Sequence, residues 1–220
     1  MQPVFHPVAD HAVLVEFADS IDAAAHAAVL RLDQALAAQP FAGFAEAIPA
    51  FVTLLVDFDP GRTDHVQVTA HLRGLLAAPE AARPAPVTHE VPVCYEPDFA
   101  PDLPEVARAC GLSTEAVIAA HLAGRYEVAM YGFAPGYAYL SGVLEAIRLD
   151  RKPSPKRGVA AGSVIIAGPQ CLVTTLTMPT GWWIIGHSPL KILTGSEERP
   201  FLFGVGDRIA FRRIAAGELP

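Results

Sequence analysis

Apolar and polar positions set out two kinds of periodicity along the chain. HAVLVEF (residues 11–17) is rich in apolar and β-branched residues and predicts a strand. Asp19, Ser20 and Asp22 follow as helix-capping types, and Ile21, Ala25, Ala28, Val29, Leu32 and Leu36 then recur at helical spacing. Gln39-Pro40 stops that helix, because proline disfavours helix in the residue before it. Residues 41–48 form a weaker strand and FVTLLVDF (51–58) a strong one. Asp59-Pro60-Gly61 is a turn, after which Thr63 and Asp64 can cap a helix carrying Val68, Leu72, Leu75 and Leu76. The order β-α-β-β-α lacks one strand of a ferredoxin-like unit. HEVPVCY (89–95) either supplies it or begins the next domain. The alanine- and proline-rich AAPEAARPAP (77–86) is the best linker, so the expected domains are 1–86 and 87–220.

Beyond the linker the pattern changes. Asp102 is placed to cap a short helix that Gly111 ends, and Ser113 to cap a second one over 114–123, with Gly124 after it. From residue 126 onward, short β-rich runs alternate with glycine and proline, notably at 126–131, 163–167, 172–176, 182–185 and 208–214. Many short strands so spaced indicate a barrel or sandwich. The expected fold class is α+β, a small ferredoxin-like α/β domain followed by a β-barrel domain. No charged side chain lies between Arg157 and Lys191, yet Gly162, Gly168, Pro169, Pro179 and Gly181 break that stretch too often for a membrane helix.

Composition narrows the function classes. With 52% hydrophobic and 18% charged residues the chain is globular, and a net charge of −7 disfavours general nucleic-acid binding. Three scattered cysteines, Cys94, Cys110 and Cys171, offer neither a metal knuckle nor a disulfide framework. No metal site is expected, and the cysteine pattern suits a cytoplasmic location. MQPVFHPVAD lacks the basic and apolar regions of a secretory signal. No glycine-rich phosphate loop, HExxH or GxSxG is present.

Three segments can carry chemistry. In YGFAPGYAYL (131–140), Gly132 and Gly136 flank Phe133 and Pro135 directly after a strand, and Tyr131, Phe133, Tyr137 and Tyr139 alternate. Such a segment is a stiff aromatic turn, or a loop that admits a ligand. RLDRKPSPKRG (148–158) holds Arg148, Arg151, Lys152, Lys156 and Arg157, five of the 16 basic residues. It is either a solvated charged loop or an anion site, with arginine as a bidentate fork and lysine as a point charge. In residues 159–189, Ser163, Gln170 and His187 are polar among strand residues, so each satisfies backbone or faces a ligand. His121 and His187 are each most simply structural histidines, and Cys171 reads as inert core. Of Trp182 and Trp183, one packs in the core and the other can line a groove.

Taken together, VPVCY (91–95), PDL (101–103), YGFAPGYAYL, AAGSVIIAG (160–168), IIGHSPL (184–190) and GDRIAF (206–211) resemble the family known as the 5-oxoprolinase B-subunit, KipI or allophanate hydrolase subunit 1. The resemblance implies that the second domain is a cyclophilin-like barrel. It implies two partner chains, one like KipA or allophanate hydrolase subunit 2 and one like LamB/YcsF. With them, ATP is used to open 5-oxoproline to glutamate. KipI-like members instead bind and inhibit a sensor histidine kinase, and urea carboxylase contains a related module in a biotin-dependent carboxyltransferase. The expected site combines His121 and Lys156 as catalytic candidates with Gly132, Phe133, Pro135, Gly136, Tyr139, Arg151, Ser163, Gln170, Trp182 and His187 around the substrate. The chain departs from the family pattern at Asp150, Lys156, Ala160, Cys171–Thr175, Met178–Thr180 and His187-Ser188, changes that bear on substrate more than on fold.

Overall fold

In the computed structural model, residues 2–79 and 85–219 are described. Of the expected linker, 80–84 lie outside the described residues. Backbone contacts divide the chain into two compact units, Met1–Ala85 and Pro86–Pro220.

The first unit contains β1 (Val4–Val8), β2 (Ala12–Glu16), α1 (Ala23–Ala38), β3 (Phe44–Pro49), β4 (Thr53–Phe58) and α2 (His65–Ala77). Its sheet has the order β1-β2-β4-β3, antiparallel throughout. The strand that completes the ferredoxin-like sheet therefore comes from the N-terminal hairpin and not from residues 89–95. VFHPV in β1 is largely exposed and carries a proline, which suits only an edge strand. Asp22 and Asp64 cap the two helices, accepting from the backbone N–H of Ala25 and Gln67 at 2.8 Å each. Val29, Leu32 and Leu36 of α1 and Val68 and Leu72 of α2 bury against Val13, Val15, Leu54 and Val56.

The second unit begins with β5 (Thr88–Cys94), which pairs parallel with the last strand, β13 (Arg208–Ile214). Between them come α3 (Leu103–Cys110), α4 (Thr114–Ala123), β6 (Tyr126–Tyr131), β7 (Ala138–Ser141), β8 (Lys156–Val159), β9 (Ser163–Ala167), β10 (Gln170–Val173), β11 (Met178–Thr180) and β12 (Trp183–His187). Seven strands close into a barrel in the order β10-β7-β6-β13-β5-β12-β9, while β8 and β11 form a separate ribbon. Closure leaves the barrel without an open edge. The stretch free of Asp, Glu, Lys and Arg thus resolves into strands, and no helix among the described residues is long and apolar enough to cross a membrane. The chain is α+β, an α/β unit followed by a β-barrel unit.

One cap differs from expectation. Asp102 makes no side-chain cap at α3. Its carboxylate instead accepts from the backbone N–H of Ile184 at 2.8 Å and from the ammonium of Lys152. A partner 50 residues away in sequence outcompetes the local N–H groups, because a lysine side chain of low exposure requires a counter-charge.

Candidate functional site

The loop between β6 and β7 is held by its own hydrogen bonds. Gly132 N–H donates to Tyr137 O at 3.3 Å, Ala134 N–H to Gly132 O at 2.8 Å, and Tyr137 N–H to Ala134 O at 3.1 Å. Two of its residues have positive φ. Gly136 (φ +74°) permits an approach in which a Cβ would lie 2.8 Å from Leu193 and 3.0 Å from Thr175. Phe133 (φ +66°) adopts the left-handed region without that freedom and leaves its ring 72% exposed. Strain and apolar exposure at one residue are features that cluster at ligand sites.

The loop lines one pocket and touches the wall of a second at Thr175 and Leu193. The first has a volume of about 170 Å³ and is lined by Phe133, Tyr137, Tyr139, Arg151, Ile165, Leu172, Pro179, Thr180, Gly181 and Trp182. The Arg151 guanidinium lies 5.7 Å from the Trp182 ring centroid, and Tyr139 meets the same indole edge-on at 5.7 Å. Burial raises the phenol pKa of Tyr137 and Tyr139, with Arg151 lowering that of Tyr139 in part, so both phenols stay protonated at neutral pH. The pocket therefore offers one cation, the Tyr139 phenol as a donor and aromatic walls, while the Tyr137 hydroxyl donates to Leu176 O at 3.5 Å.

Lys152 keeps Arg151 in place. Its backbone N–H donates to Gly181 O at 2.7 Å, and its ammonium pairs with Asp102 and lies 5.5 Å from the Trp183 ring centroid. Trp183 Nε1–H donates to Asp150 O at 2.8 Å. Residues on both sides of Arg151 are thus tied to the barrel wall.

The second pocket is larger, about 580 Å³, and includes Phe99, Gly162, Thr174, Thr175, His187, Ser188 and the segment 189–193. Thr175 Oγ1–H donates to Pro135 O at 2.6 Å, fixing the loop to this pocket's wall. The His187 ring lies so close over Gly162 (φ +86°) that a Cβ there would come within 2.7 Å of it. Burial lowers the His187 pKa, leaving the imidazole neutral at physiological pH. Its ring nitrogens meet no hydrogen-bond partner among the described residues.

The other expected residues lie apart from both linings. His121 is fully buried inside the barrel unit. Its Nδ1 is 2.7 Å from Tyr95 OH, its Nε2 3.5 Å from Cys171 Sγ, and its ring 4.5 Å from that of Phe211. Burial lowers its pKa to about 3 and raises that of the Cys171 thiol. Lys156 is exposed on the ribbon opposite Thr180. Ser163 is buried and pairs with His187 in the sheet, its N–H donating to Thr174 Oγ1. Gln170 pairs with Ser141, four residues beyond Tyr137 at the end of the loop and so about 13 Å along the strand from it. Gly132 shapes the loop backbone, and Pro135 touches Thr175. Tyr137 and Lys152, read in the sequence only as members of the aromatic and basic loops, join the site together with Phe99, Thr175 and Asp102, which were not expected there. Tyr137 stood inside the marked segment. The others meet only through long-range folding.

The profile of the carboxyltransferase domain, subdomain C and D, matches residues 3–203. The 5-oxoprolinase B-subunit of Bacillus subtilis is 37% identical over 94% of this chain and 90% of its own length. The chain belongs to the 5-oxoprolinase B-subunit family. The crystal structure of TTHA0988 superimposes with a TM-score of 0.84 at 36% identity, covering 96% of this chain and 41% of that one. This chain thus spans less than half the length of that protein. The urea amidolyase of K. lactis shares the fold at a TM-score of 0.76 and 14% identity, over 99% of this chain and 15% of the larger one. In this family's fold, the loop of residues 132–137 and its two pockets all belong to the barrel unit.

Proposed function

We propose that this chain is one component of a heteromeric, ATP-dependent enzyme that opens 5-oxoproline to glutamate. The observation that carries the reading is the pocket in which Arg151 faces Tyr137, Tyr139 and Trp182. A volume of about 170 Å³ accommodates a five-membered lactam with its carboxylate. The guanidinium takes the carboxylate as a two-pronged donor, and the aromatic faces hold the ring. The Tyr139 phenol donates to the lactam oxygen, where negative charge develops as the amide is attacked.

ATP does not fit the residues present. The Arg151 pocket is too small for a nucleoside triphosphate, and the His187 pocket supplies one exposed lysine, Lys191, with the Gly162 N–H already spent on Thr174 O. Nucleotide and the remaining catalytic groups therefore belong to the KipA-like and LamB/YcsF-like partners in a cytoplasmic complex. Lys156, exposed beside the ribbon, draws the anionic substrate toward the pocket.

The test is reconstitution with the cognate partner proteins, ATP and 5-oxoproline. Turnover requires this chain, and Arg151→Ala raises KM by on the order of tenfold or more with a smaller change in kcat. Turnover that proceeds unchanged without the chain, or capture of a sensor histidine kinase in place of the two partners, overturns the reading.

A further inference from the structure

The His187 pocket shares no lining residue with the Arg151 pocket, and only the latter is lined by residues of the loop 132–137. Beside the exposed Lys191, the hydroxyl groups of the His187 pocket are each tied to the backbone. Thr174 Oγ1 donates to Ala160 O and accepts from Ser163 N–H, Thr175 Oγ1 donates to Pro135 O, and Ser188 Oγ accepts from Leu190 N–H. The imidazole of His187 stands out because both its nitrogens remain unspent among the described residues. Phe99 lies beside it, with ring centroids 5.8 Å apart and planes tilted by 41°.

We propose that this pocket is a second small-molecule site, binding an uncharged planar amide-type group, –CO–NH–, through a hydrogen bond to His187. An imidazole held neutral presents a wholly unshared acceptor nitrogen to the ligand N–H, whereas the lining hydroxyls of Thr174, Thr175 and Ser188 are each already tied to backbone groups. Phe99 and the apolar segment about Ile192 and Leu193 take the ligand's flat faces. Gly162 is part of the device. A side chain there would collide with the ring and with Ser188 O, 2.5 Å from the Cβ position. The site stands independently of 5-oxoproline turnover, since it needs neither Arg151 nor a carboxylate.

Nuclear magnetic resonance on the full chain tests it, with 2-pyrrolidinone as probe and N-methyl-2-pyrrolidinone, which lacks the N–H, as control. His187 ring signals, assigned with His187→Leu or, if that variant unfolds, His187→Gln, shift saturably with a Kd on the order of 10 mM, within the range open to a six-atom ligand. The N-methyl analogue binds about tenfold more weakly, the loss expected for one hydrogen bond. Arg151→Ala leaves the titration unchanged. An absent or unsaturable shift, equal binding of the two probes, or loss of binding in Arg151→Ala overturns the proposal. The last outcome assigns the lactam to the Arg151 pocket alone and leaves the 5-oxoproline reading standing.

Discussion

Two histidines of the barrel unit have their pKa lowered by the same cause and sit in opposite surroundings. His121 is completely enclosed, with Tyr95 on one ring nitrogen and Cys171 beside the other. His187 is half-buried, with Phe99 beside it and no partner on either nitrogen among the described residues. Desolvation alone therefore does not mark a site. What separates them is whether the imidazole's hydrogen bonds are already used. His121 completes the core as a polar knot, whereas His187 keeps its capacity for a ligand.

The largest effect belongs to the enclosed histidine. His121→Ala leaves the Tyr95 hydroxyl unpaired and opens a cavity, so it costs about 3–4 kcal/mol in chemical denaturation. The same residue sets a pH signature. The unfolded chain binds this proton near 6.5, while the folded chain resists it down to about 3. Stability from keeping His121 neutral is therefore complete above pH 6.5 and is lost as pH falls toward 3, at up to about 1.4 kcal/mol per unit. In His121→Gln that dependence is gone, and the stability gap from wild type narrows between about pH 7 and 5. Parallel curves for the two proteins would show that His121 is not the titrating knot.

Gly162→Ala is next, and it probes the open histidine. A left-handed backbone at φ +86° and a Cβ only 2.5 Å from Ser188 O cost about 2–3 kcal/mol. His187 is displaced with it, so its ring signals move while those of His121 stay. Lys152→Met follows at about 1–2 kcal/mol. Asp102 loses its ammonium partner but keeps the Ile184 N–H, and the pair is slightly solvated, which reduces the loss. Because Lys152 adjoins Arg151, this variant also weakens the carboxylate binding proposed for that guanidinium.

These residues show what was legible in the sequence. Local signals were reliable. The helical spacing with Asp22, Asp64 and Ser113 located α1, α2 and α4 and their caps. The segment YGFAPGYAYL marked the loop that lines the Arg151 pocket, whose wall also holds Arg151 and Trp182, while His187 lies in the other pocket. Long-range choices were hidden. Asp102 has the form of a helix cap, and nothing local says that Lys152 will claim it. VFHPV carries a proline and little apolar alternation, so the edge strand β1 lacked a periodic signature. His121 and His187 look equivalent in a linear text, because barrel closure alone decides which ring is sealed.

Phe133 gives the smallest effect and the sharpest contrast between core and pocket face. Its backbone, at φ +66°, lies where phenylalanine is strained and asparagine is tolerated. Its ring, 72% exposed, contributes little to the core but lines the Arg151 pocket and lies 5.8 Å from the Tyr137 ring. Phe133→Asn therefore raises stability by about 0.5–1 kcal/mol as the strain is relieved. The same change removes a wall of the pocket and, on the proposed function, weakens 5-oxoproline binding several-fold, measured by titration of the assembled enzyme. A position where stability rises as binding falls is one held for the ligand rather than for the fold. If stability instead drops and binding is untouched, Phe133 belongs with the core residues around His121, and the boundary between enclosed interior and ligand face must be moved outward to include the loop.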